Sequence, residues 1–293
     1  MSFKSGFIGI IGKPNAGKST LMNALVGEKL SIITSKEQTT RHKILGILTT
    51  DNFQMIFTDT PGIIESKYSL HKNMMTVVEE TTKDADVLIV LCDGFETDAE
   101  LNLIAEKISN QKKPMLFVLS KLENFRTEEV LEIRKKRLEE FFKQEFFTVS
   151  ALAKTNLDKL LLLLEEKLPV HEAFYPLDEL SDKSERFFVA EMIREKIFEQ
   201  YKKEIPYSTE VQVIEFKDKE EILVLRVEIY VERESQKAII LGHNGAAIKK
   251  LGTEARKEIE IFMRKKIFLE TTVKVKDNWR NDDMMLKYFG YKK

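Results

Sequence analysis

The sequence contains almost no cysteine. Cys92 is the single cysteine among 293 residues, so an intramolecular disulfide is excluded and a reducing compartment is favoured. Cys92 ends an apolar run at residues 87–92, and we interpret it as a small buried strand residue. With one cysteine and four scattered histidines, a zinc site is not expected.

Long apolar runs are missing as well. The longest, at residues 87–92 and 160–164, are far shorter than the ~20 residues that a membrane span needs. The first residues lead directly into a short strand-like stretch, so no signal peptide is expected. These absences predict a cytoplasmic protein, and they leave open a peripheral contact with the cytoplasmic face of the inner membrane.

Neither sign of charge dominates. Lys and Arg number 47 against 48 Asp and Glu, so the net charge of -1 does not indicate a polyanionic partner. A nucleic-acid surface would therefore need a local concentration of positive charge. The length suits two domains, and the 32% charged and 43% hydrophobic residues are typical of globular proteins.

The first half of the chain alternates short β-branched or aromatic runs with longer helical patterns. This alternation indicates an α/β domain with a mostly parallel six-stranded sheet. Only residues 50–52 separate the second and third strands, so those two should form an antiparallel hairpin. The predicted strands span residues 7–11, 43–49, 53–58, 87–92, 115–119 and 146–149.

An irregular, polar stretch around Pro176 then interrupts the periodicity. We expect a first domain at residues 1–170, a linker at 171–183 and a second domain at 184–293. The patterns of the second domain follow the order αββααβ. The predicted elements are a helix at 184–204, strands at 208–216 and 221–231, a short helix up to 241, a helix from 246 to about 263 and a strand at 267–275.

The strongest local signal is a Gly-x-x-x-x-Gly-Lys-Ser motif at residues 12–19. It follows a predicted strand and opens an apolar helix, which is the context of a phosphate-binding loop. Backbone N–H groups would bind phosphate oxygens, Lys18 would bridge the β- and γ-phosphates, and Ser19 would ligate Mg²⁺. The predicted nucleotide contacts here are Gly12, Lys13, Pro14, Asn15, Ala16, Gly17, Lys18, Ser19 and Thr20.

Two further segments complete this predicted site. Asp59 ends the third strand and can hold Mg²⁺ through water, while the Gly62 N–H can contact a γ-phosphate. In the polar loop at 31–42, Thr40 is favoured over Thr39 as a Mg²⁺ ligand that orders with the γ-phosphate. The predicted metal ligands are Ser19, Thr40 and Asp59, the catalytic groups are Lys18, Thr40 and Gly62, and the added nucleotide contacts are Asp59, Thr60, Pro61, Gly62 and Ile63.

The base-recognition segment departs from the usual pattern. Guanine-binding proteins normally carry Asn-Lys-x-Asp after the fifth strand, and residues 120–123 read Ser-Lys-Leu-Glu. Glu123 still supplies a carboxylate that disfavours adenine, so we expect GTP and GDP rather than ATP. Ser120 replaces an amide that ties loops together, so weaker recognition stays open. The predicted base contacts are Ser120, Lys121, Leu122 and Glu123, with Ser150, Ala151 and Leu152 offering a backbone N–H to the guanine O6.

On these motifs the chain resembles the Era family of bacterial GTPases, in the TrmE–Era–EngA group. The resemblance covers essentially the whole length and implies a GTPase domain joined to a type II KH domain. It also implies binding to the 3′ region of 16S ribosomal RNA and help in small ribosomal subunit assembly. The segments that carry it are 12–19, 38–42, 59–62, 174–176, 191–196, 231–237, Trp279 and 290–291.

The Gly-His-Asn-Gly turn at 242–245 lies between two predicted helices, as in a KH domain. The family commonly places a lysine after the first glycine, so the imidazole of His243 predicts one weaker phosphate contact. The tail at 279–293 either stacks on bases or packs as an extension. The predicted RNA contacts are Lys237, Ile240, Gly242, His243, Asn244, Gly245, Ala246, Ile248, Lys249 and Lys250.

Two residues bear on turnover. Ile63 occupies the position where Ras-like proteins carry a water-positioning glutamine, so we predict slow intrinsic hydrolysis. Asn15 either binds a monovalent cation such as K⁺ or satisfies the loop's own backbone. We expect a monomeric GTP-driven switch, and the alternative is a constitutive RNA-binding assembly factor with a degenerate nucleotide domain.

Overall fold

The computed structural model describes residues 2–34 and 36–292. Ser35 of the predicted loop at 31–42, and Met1 and Lys293 at the outer ends of the predicted domains, lie outside the described residues. The chain divides into two compact units. These are Met1–Ser66 with His71–Asp182, and Lys67–Leu70 with Lys183–Lys293.

The first unit is an α/β fold with a mostly parallel sheet. Its strands are β1 (Lys4–Ile11), β2 (Ile44–Thr49), β3 (Phe53–Asp59), β4 (Val87–Cys92), β5 (Met115–Leu119) and β6 (Phe146–Thr148). Their order in the sheet is β2-β3-β1-β4-β5-β6. Among the described residues of this sheet, only β2 and β3 pair antiparallel, so the predicted fold class and hairpin are confirmed.

The centre of this sheet explains the position of the loops. Every residue of β4 is buried, as expected for a central parallel strand covered on both faces. In such sheets the loops at the carboxyl ends of the strands meet at one edge. The helices of this unit are α1 (Lys18–Val26), α2 (Ser69–Asp84), α3 (Asp98–Ile108), α4 (Glu128–Phe142) and α5 (Leu157–Lys167).

The stretch predicted as a linker packs on the open edge of this sheet up to residue 182. The Ile47 N–H of β2 donates to the Leu180 carbonyl at 2.9 Å, and the Ser181 hydroxyl donates to the Leu45 carbonyl at 2.6 Å. The Gln54 amide binds the backbone at 174–175. Polar composition alone does not reveal such contacts, because they use main-chain groups that every sequence offers.

The second unit has the predicted order αββααβ. Its elements are α6 (Glu185–Gln200), β7 (Glu210–Asp218), β8 (Ile222–Val231), α7 (Glu234–Leu241), α8 (Ala246–Met263), β9 (Lys266–Val275) and α9 (Asp283–Tyr288). Strand β8 is central, antiparallel to β7 and parallel to β9. Helices α6 and α8 cover one face of the sheet with a continuous apolar core.

The C-terminal tail packs against this unit. Trp279 is fully buried, and its indole N–H donates to the Ser208 carbonyl at 2.9 Å. Leu286 and Phe289 are also buried, whereas Tyr288 is half exposed. The packed extension is therefore the correct alternative for Trp279, which is not available to stack on bases. Within the described residues, no helix has the length and apolar character of a membrane span.

Candidate nucleotide site and RNA-binding turn

The phosphate-binding loop at 12–19 joins β1 to α1. Its backbone enters the left-handed region at Asn15 (φ 61°) and Gly17 (φ 98°). A Cβ at Gly12 would lie 2.3 Å from the Leu91 carbonyl oxygen, so only glycine fits there. The Gly-rich motif therefore has the local structure that the sequence predicts, with backbone N–H groups lining a concavity.

Lys18 lies across this loop. Its ammonium donates to the Lys13 carbonyl at 2.8 Å and to the Gly12 carbonyl at 3.4 Å. The side chain is buried, and burial lowers the pKa of Lys18 to about 8. A buried cation beside a phosphate-sized concavity attracts anionic oxygens strongly, because little water screens it.

Three predicted metal ligands lie together at the start of α1. The Ser19 hydroxyl donates to Asp59 Oδ2 at 2.6 Å and lies 2.8 Å from the Thr40 hydroxyl. Thr40 in turn donates to Asp59 Oδ2 at 3.3 Å. Thr39 faces elsewhere, since its hydroxyl donates to the Lys36 carbonyl at 2.8 Å.

The Asp59 carboxylate has unused capacity. It is fully buried, and its Oδ1 atom has no hydrogen-bond partner among the described residues. Burial raises the pKa of Asp59, because removing the charged carboxylate from water costs more than the Ser19 bond and the nearby charge of Lys18 return. Oxygen ligands are those that Mg²⁺ prefers, so the residues at this point fit that ion.

The segment at 59–62 packs directly on the phosphate-binding loop. The Thr60 hydroxyl donates to the Ile10 carbonyl at 2.7 Å, and the Ile63 N–H donates to the Gly12 carbonyl at 3.0 Å. A Cβ at Gly62 would lie 2.5 Å from the Pro14 nitrogen. Ile63 is buried and apolar, and such a side chain cannot orient water.

A cavity of about 370 Å³ lies at this point, and Lys18, Ser19, Thr40 and Gly62 are among the residues that line it. The cavity is lined by parts of 14–40, Gly62, 120–124 and 149–152, so it joins the predicted phosphate and base-recognition segments. Its size lies in the usual range of small-ligand pockets. Several predicted nucleotide contacts are not among its lining residues, namely Gly12, Lys13, Ala16, Asp59, Thr60, Pro61, Ile63, Leu122 and Ser150.

Ser120 ties neighbouring loops together despite its small size. Its hydroxyl donates to the Ala16 carbonyl at 2.6 Å and is 3.1 Å from the Cys92 carbonyl. The Ser120 hydroxyl thus replaces in part the usual asparagine amide, because the Ala16 and Cys92 carbonyls both lie within its reach. The sequence showed the replacement but not this geometry.

Glu123 is held at the predicted base pocket. The Ser150 hydroxyl donates to Glu123 Oε2 at 2.5 Å and orients the carboxylate. The Ser150 N–H already donates to the Thr155 carbonyl. Of the three residues predicted to offer a backbone N–H to the guanine O6, the prediction is therefore restricted to Ala151 and Leu152.

Two acidic residues near the site were not predicted. Asp93 pairs with Lys13 at 3.0 Å and with Lys121 at 3.2 Å, and thus fixes two of the predicted nucleotide contacts. Glu96 accepts the Asp93 and Gly94 N–H groups at 2.7 and 3.0 Å. Burial, together with the charge of Asp93, raises the pKa of Glu96 to about 7. The sequence signal for Asp93 and Glu96 is their position shortly after the buried strand β4, at the sheet edge that also carries the phosphate-binding loop.

The Gly-x-x-Gly turn at 242–245 links α7 to α8. Gly242 and Gly245 have φ of 69° and 75°, and a Cβ at Gly242 would lie 2.6 Å from the Ala247 Cβ. A Cβ at Gly245 would meet no atom within 4 Å, so that face of the turn is open. The exposed side chains beside it are His243, Asn244, Ala246, Lys249 and Lys250.

The remaining predicted RNA residues differ in exposure. Lys237 and Ile248 are partly buried, and Ile239 is half exposed. Ile240 is fully buried in the core of the unit, so its side chain supports the turn from beneath and cannot contact RNA. Helical spacing alone could not separate the adjacent Ile239 and Ile240.

Comparison with known proteins assigns both units to families. Residues 7–121 match the model described as 50S ribosome-binding GTPase, and residues 204–280 match the KH domain model. The two matches fall in the two units in chain order.

Curated relatives match nearly the whole chain. GTPase Era of Clostridium perfringens is 42% identical over 293 residues, covering 99% of each chain. The chloroplastic GTPase ERA1 of Zea mays is 42% identical over 98% of this chain and 70% of its own.

Solved structures agree in fold. Era in complex with MgGDPNP and nucleotides 1506–1542 of 16S ribosomal RNA has a TM-score of 0.95 at 34% identity, covering 99% of this chain and 100% of that one. A variant of Aquifex aeolicus Era bound to GDP and AlF₄⁻ gives the same TM-score, identity and coverage. The similarity therefore extends over both units.

Proposed function

The chain belongs to the Era family of GTPases, and from this we propose that it is a GTP-hydrolysing switch that binds the 3′ region of 16S ribosomal RNA through its KH domain and assists small-subunit assembly. It uses GTP, GDP and Mg²⁺, as the relative crystallised with MgGDPNP does. The KH domain binds RNA. The RNA of that same relative, part of 16S ribosomal RNA, supports the choice of partner.

One observation carries the nucleotide half of this proposal. Ser19, Thr40 and Asp59 meet within hydrogen-bond distance, and the buried Asp59 Oδ1 lacks a partner. These three would hold Mg²⁺, which neutralises charge on the phosphate oxygens when bound. The two hydroxyls come from different loops, so the ligand set is complete only when the Thr40 loop is closed.

The protein's own groups supply the rest of the catalytic environment. With nucleotide bound, the Lys18 ammonium would exchange its carbonyl partners for β- and γ-phosphate oxygens and stabilise charge in the transition state. The Gly62 N–H would contact the γ-phosphate, and the missing Cβ of Gly62 allows the close approach to Pro14. Because Ile63 cannot position the attacking water, we expect slow hydrolysis by the bare protein and acceleration by RNA or a partner.

Nucleotide titration followed by single-turnover hydrolysis tests this function. Fluorescent GTP and GDP analogues should bind with Mg²⁺ dependence while ADP analogues do not, and the 16S 3′ fragment should increase the slow hydrolysis rate. Purified, ligand-stripped protein that binds no guanine nucleotide but still binds the RNA would instead support the constitutive assembly factor. Fast hydrolysis without RNA would contradict the role given to Ile63.

The K⁺ hypothesis for Asn15 has a separate test. Asn15 lines the cavity beside the phosphate-binding loop, where a monovalent cation would compensate phosphate charge as an arginine finger does. Single-turnover rates in KCl should exceed those in NaCl. Equal rates in the two salts would leave Asn15 as a turn residue.

Cellular placement and assembly state stay predictions from the sequence. We propose a cytoplasmic monomer with a peripheral contact on the inner membrane as a secondary location. Cell fractionation tests the location, and light scattering on the purified protein tests the monomer. A stable dimer at micromolar concentration would contradict it.

A further inference from the structure

The loop that carries Thr40 makes a hydrogen bond to helix α2. Gln38 Oε1 accepts from His71 Nε2 at 3.0 Å. His71 lies in the first turn of α2 and is 3% exposed, whereas Gln38 is partly exposed, so the bond is shielded from water on the His71 side. Breaking it is costly, because the buried His71 N–H would be left without an equivalent acceptor from solvent.

Gln38 is held in an unusual backbone conformation. Its φ of 57° lies in the left-handed region, which side chains other than glycine rarely adopt. The conformation persists where surrounding contacts determine it, and such residues cluster at functional sites. Here the surrounding contacts include the His71 bond on one side and, at 39–40, hydroxyl bonds to Lys36 and Asp59 on the other.

Helix α2 also contacts the segment after Gly62. The Ile64 N–H lies 3.5 Å from the Met75 sulfur, one turn beyond His71, and Ile63 binds the Gly12 carbonyl. The same helix thus contacts both γ-phosphate-sensing segments, the one with Thr40 and the one with Gly62. A helix in this position can link the order of the two segments.

We propose that His71 is a positioning residue for GTP hydrolysis, which holds Gln38 so that the Thr40 hydroxyl stays beside Ser19 and Asp59. This inference deepens the proposed GTPase function and rests on it. His71 touches no reacting group in this scheme. It acts through the short backbone segment that joins Gln38 to Thr40. It favours the closed loop only when Gln38 bonds His71 and Thr40 bonds Ser19 and Asp59.

The proposal predicts an effect specific to the triphosphate state. GDP lacks the γ-phosphate that orders the Thr40 loop, so its affinity should not depend on the Gln38–His71 bond. His71→Leu and Gln38→Leu should each weaken Mg²⁺-dependent binding of a non-hydrolysable GTP analogue about tenfold and slow single-turnover hydrolysis about tenfold. Affinity for GDP should change less than about twofold.

A double-mutant cycle and a rescue separate positioning from general damage. If the two side chains act through one bond, Q38L/H71L should be no worse than either single variant. His71→Gln places an amide N–H near the position of Nε2 and should recover activity to within about threefold of the wild type. Thr76→Ala, on the same helix, is the matched control, because Thr76 is exposed and its hydroxyl bonds the Lys72 carbonyl of its own helix.

The outcomes distinguish a failure of the positioning role of His71 from a failure of the proposed GTPase function. Wild-type protein that binds GTP, with H71L and Q38L weakening GTP and GDP equally, would overturn the positioning role and leave the GTPase function intact. The same holds if the two effects add in the double variant, or if H71Q behaves like H71L. Wild-type protein that binds no guanine nucleotide would overturn both. Thermal melting of each variant establishes that it is folded.

Discussion

The two glycine-bounded turns of this protein, at 12–17 and 242–245, have opposite surroundings. The first is surrounded by buried polar groups: Lys18 donates to carbonyls of the loop itself, and Asp59 accepts from Ser19 and Thr40. The second presents exposed side chains, and its Gly245 faces open space. A buried network should fail at a single substitution, whereas an exposed surface should lose affinity in small, additive steps.

The largest expected effect is at the buried site. Lys18→Ala removes a desolvated cation that would face two phosphates, and charge-assisted bonds contribute about 1.5–3 kcal/mol each. We expect GTP affinity to fall at least about 100-fold by calorimetry. The exposed Lys112→Ala should have no effect. Near-normal affinity of the Lys18 variant would remove the contrast between the two turns.

The next effect is a pH dependence of stability from Glu96. Burial and Asp93 raise the pKa of Glu96 to about 7 in the folded protein, from 4.5. In the folded state, Glu96 therefore keeps its proton over a pH range in which the unfolded state has lost that proton. Its contribution to stability is full below pH 4.5 and falls as the pH rises to about 7.

Urea unfolding of the nucleotide-free protein at pH 5 and 7.5 measures this contribution. Between pH 5 and 7.5, the free energy of unfolding of the wild type should fall on the order of 1–3 kcal/mol more than that of Glu96→Gln. The difference between the two proteins cancels the other titrating groups. Identical pH slopes would mean that Glu96 is already ionised at pH 5 and that the buried network holds its charge.

A smaller effect is expected at Ser120. Ser120→Ala removes the bond to the Ala16 carbonyl, and one neutral hydrogen bond contributes about 1 kcal/mol. GTP affinity should fall about fivefold in a fluorescence titration. The control is Ser109→Ala, since that exposed hydroxyl bonds only its own helix, at Glu106. An unchanged affinity would show that the phosphate loop keeps its shape without this tie.

The smallest single effects are expected at the RNA-binding turn. Lys249→Ala and Lys250→Ala should each weaken RNA binding about threefold and lower the slope of log affinity against log salt by about 1. The two effects should add. Lys219→Ala, in an exposed turn of the same unit, is the matched control. A loss above about 100-fold from one lysine would show that this turn also depends on a buried network.

The sequence predicted the elements and the meeting of three candidate metal ligands well, because both predictions rest on local patterns. β4 and β5 have the predicted limits, and Ser19, Thr40 and Asp59 meet as expected. The strand β1 starts at Lys4 rather than at residue 7, since backbone pairing with β3 continues past the apolar run. Pairing partners, unlike periodicity, are not local information.

What escaped prediction depends on contacts between distant residues. Asp93 and Glu96 act by bonding Lys13, Lys121 and backbone N–H groups, and no spacing rule encodes those contacts. Trp279 was equally compatible with stacking on RNA or with burial, because an aromatic side chain suits both. Ile240 was assigned to the RNA groove, but it belongs to the core.

The segment that follows helix α5, up to residue 182, also determines where the chain can be truncated to give an isolated nucleotide domain. Its carbonyl at Leu180 and its hydroxyl at Ser181 occupy bonding positions on strand β2 that would otherwise be open. Cutting the chain at 170 would uncover these positions, and uncovered edge strands pair with neighbouring molecules. An isolated nucleotide domain should therefore stay dispersed when it ends at 182 and aggregate when it ends at 170.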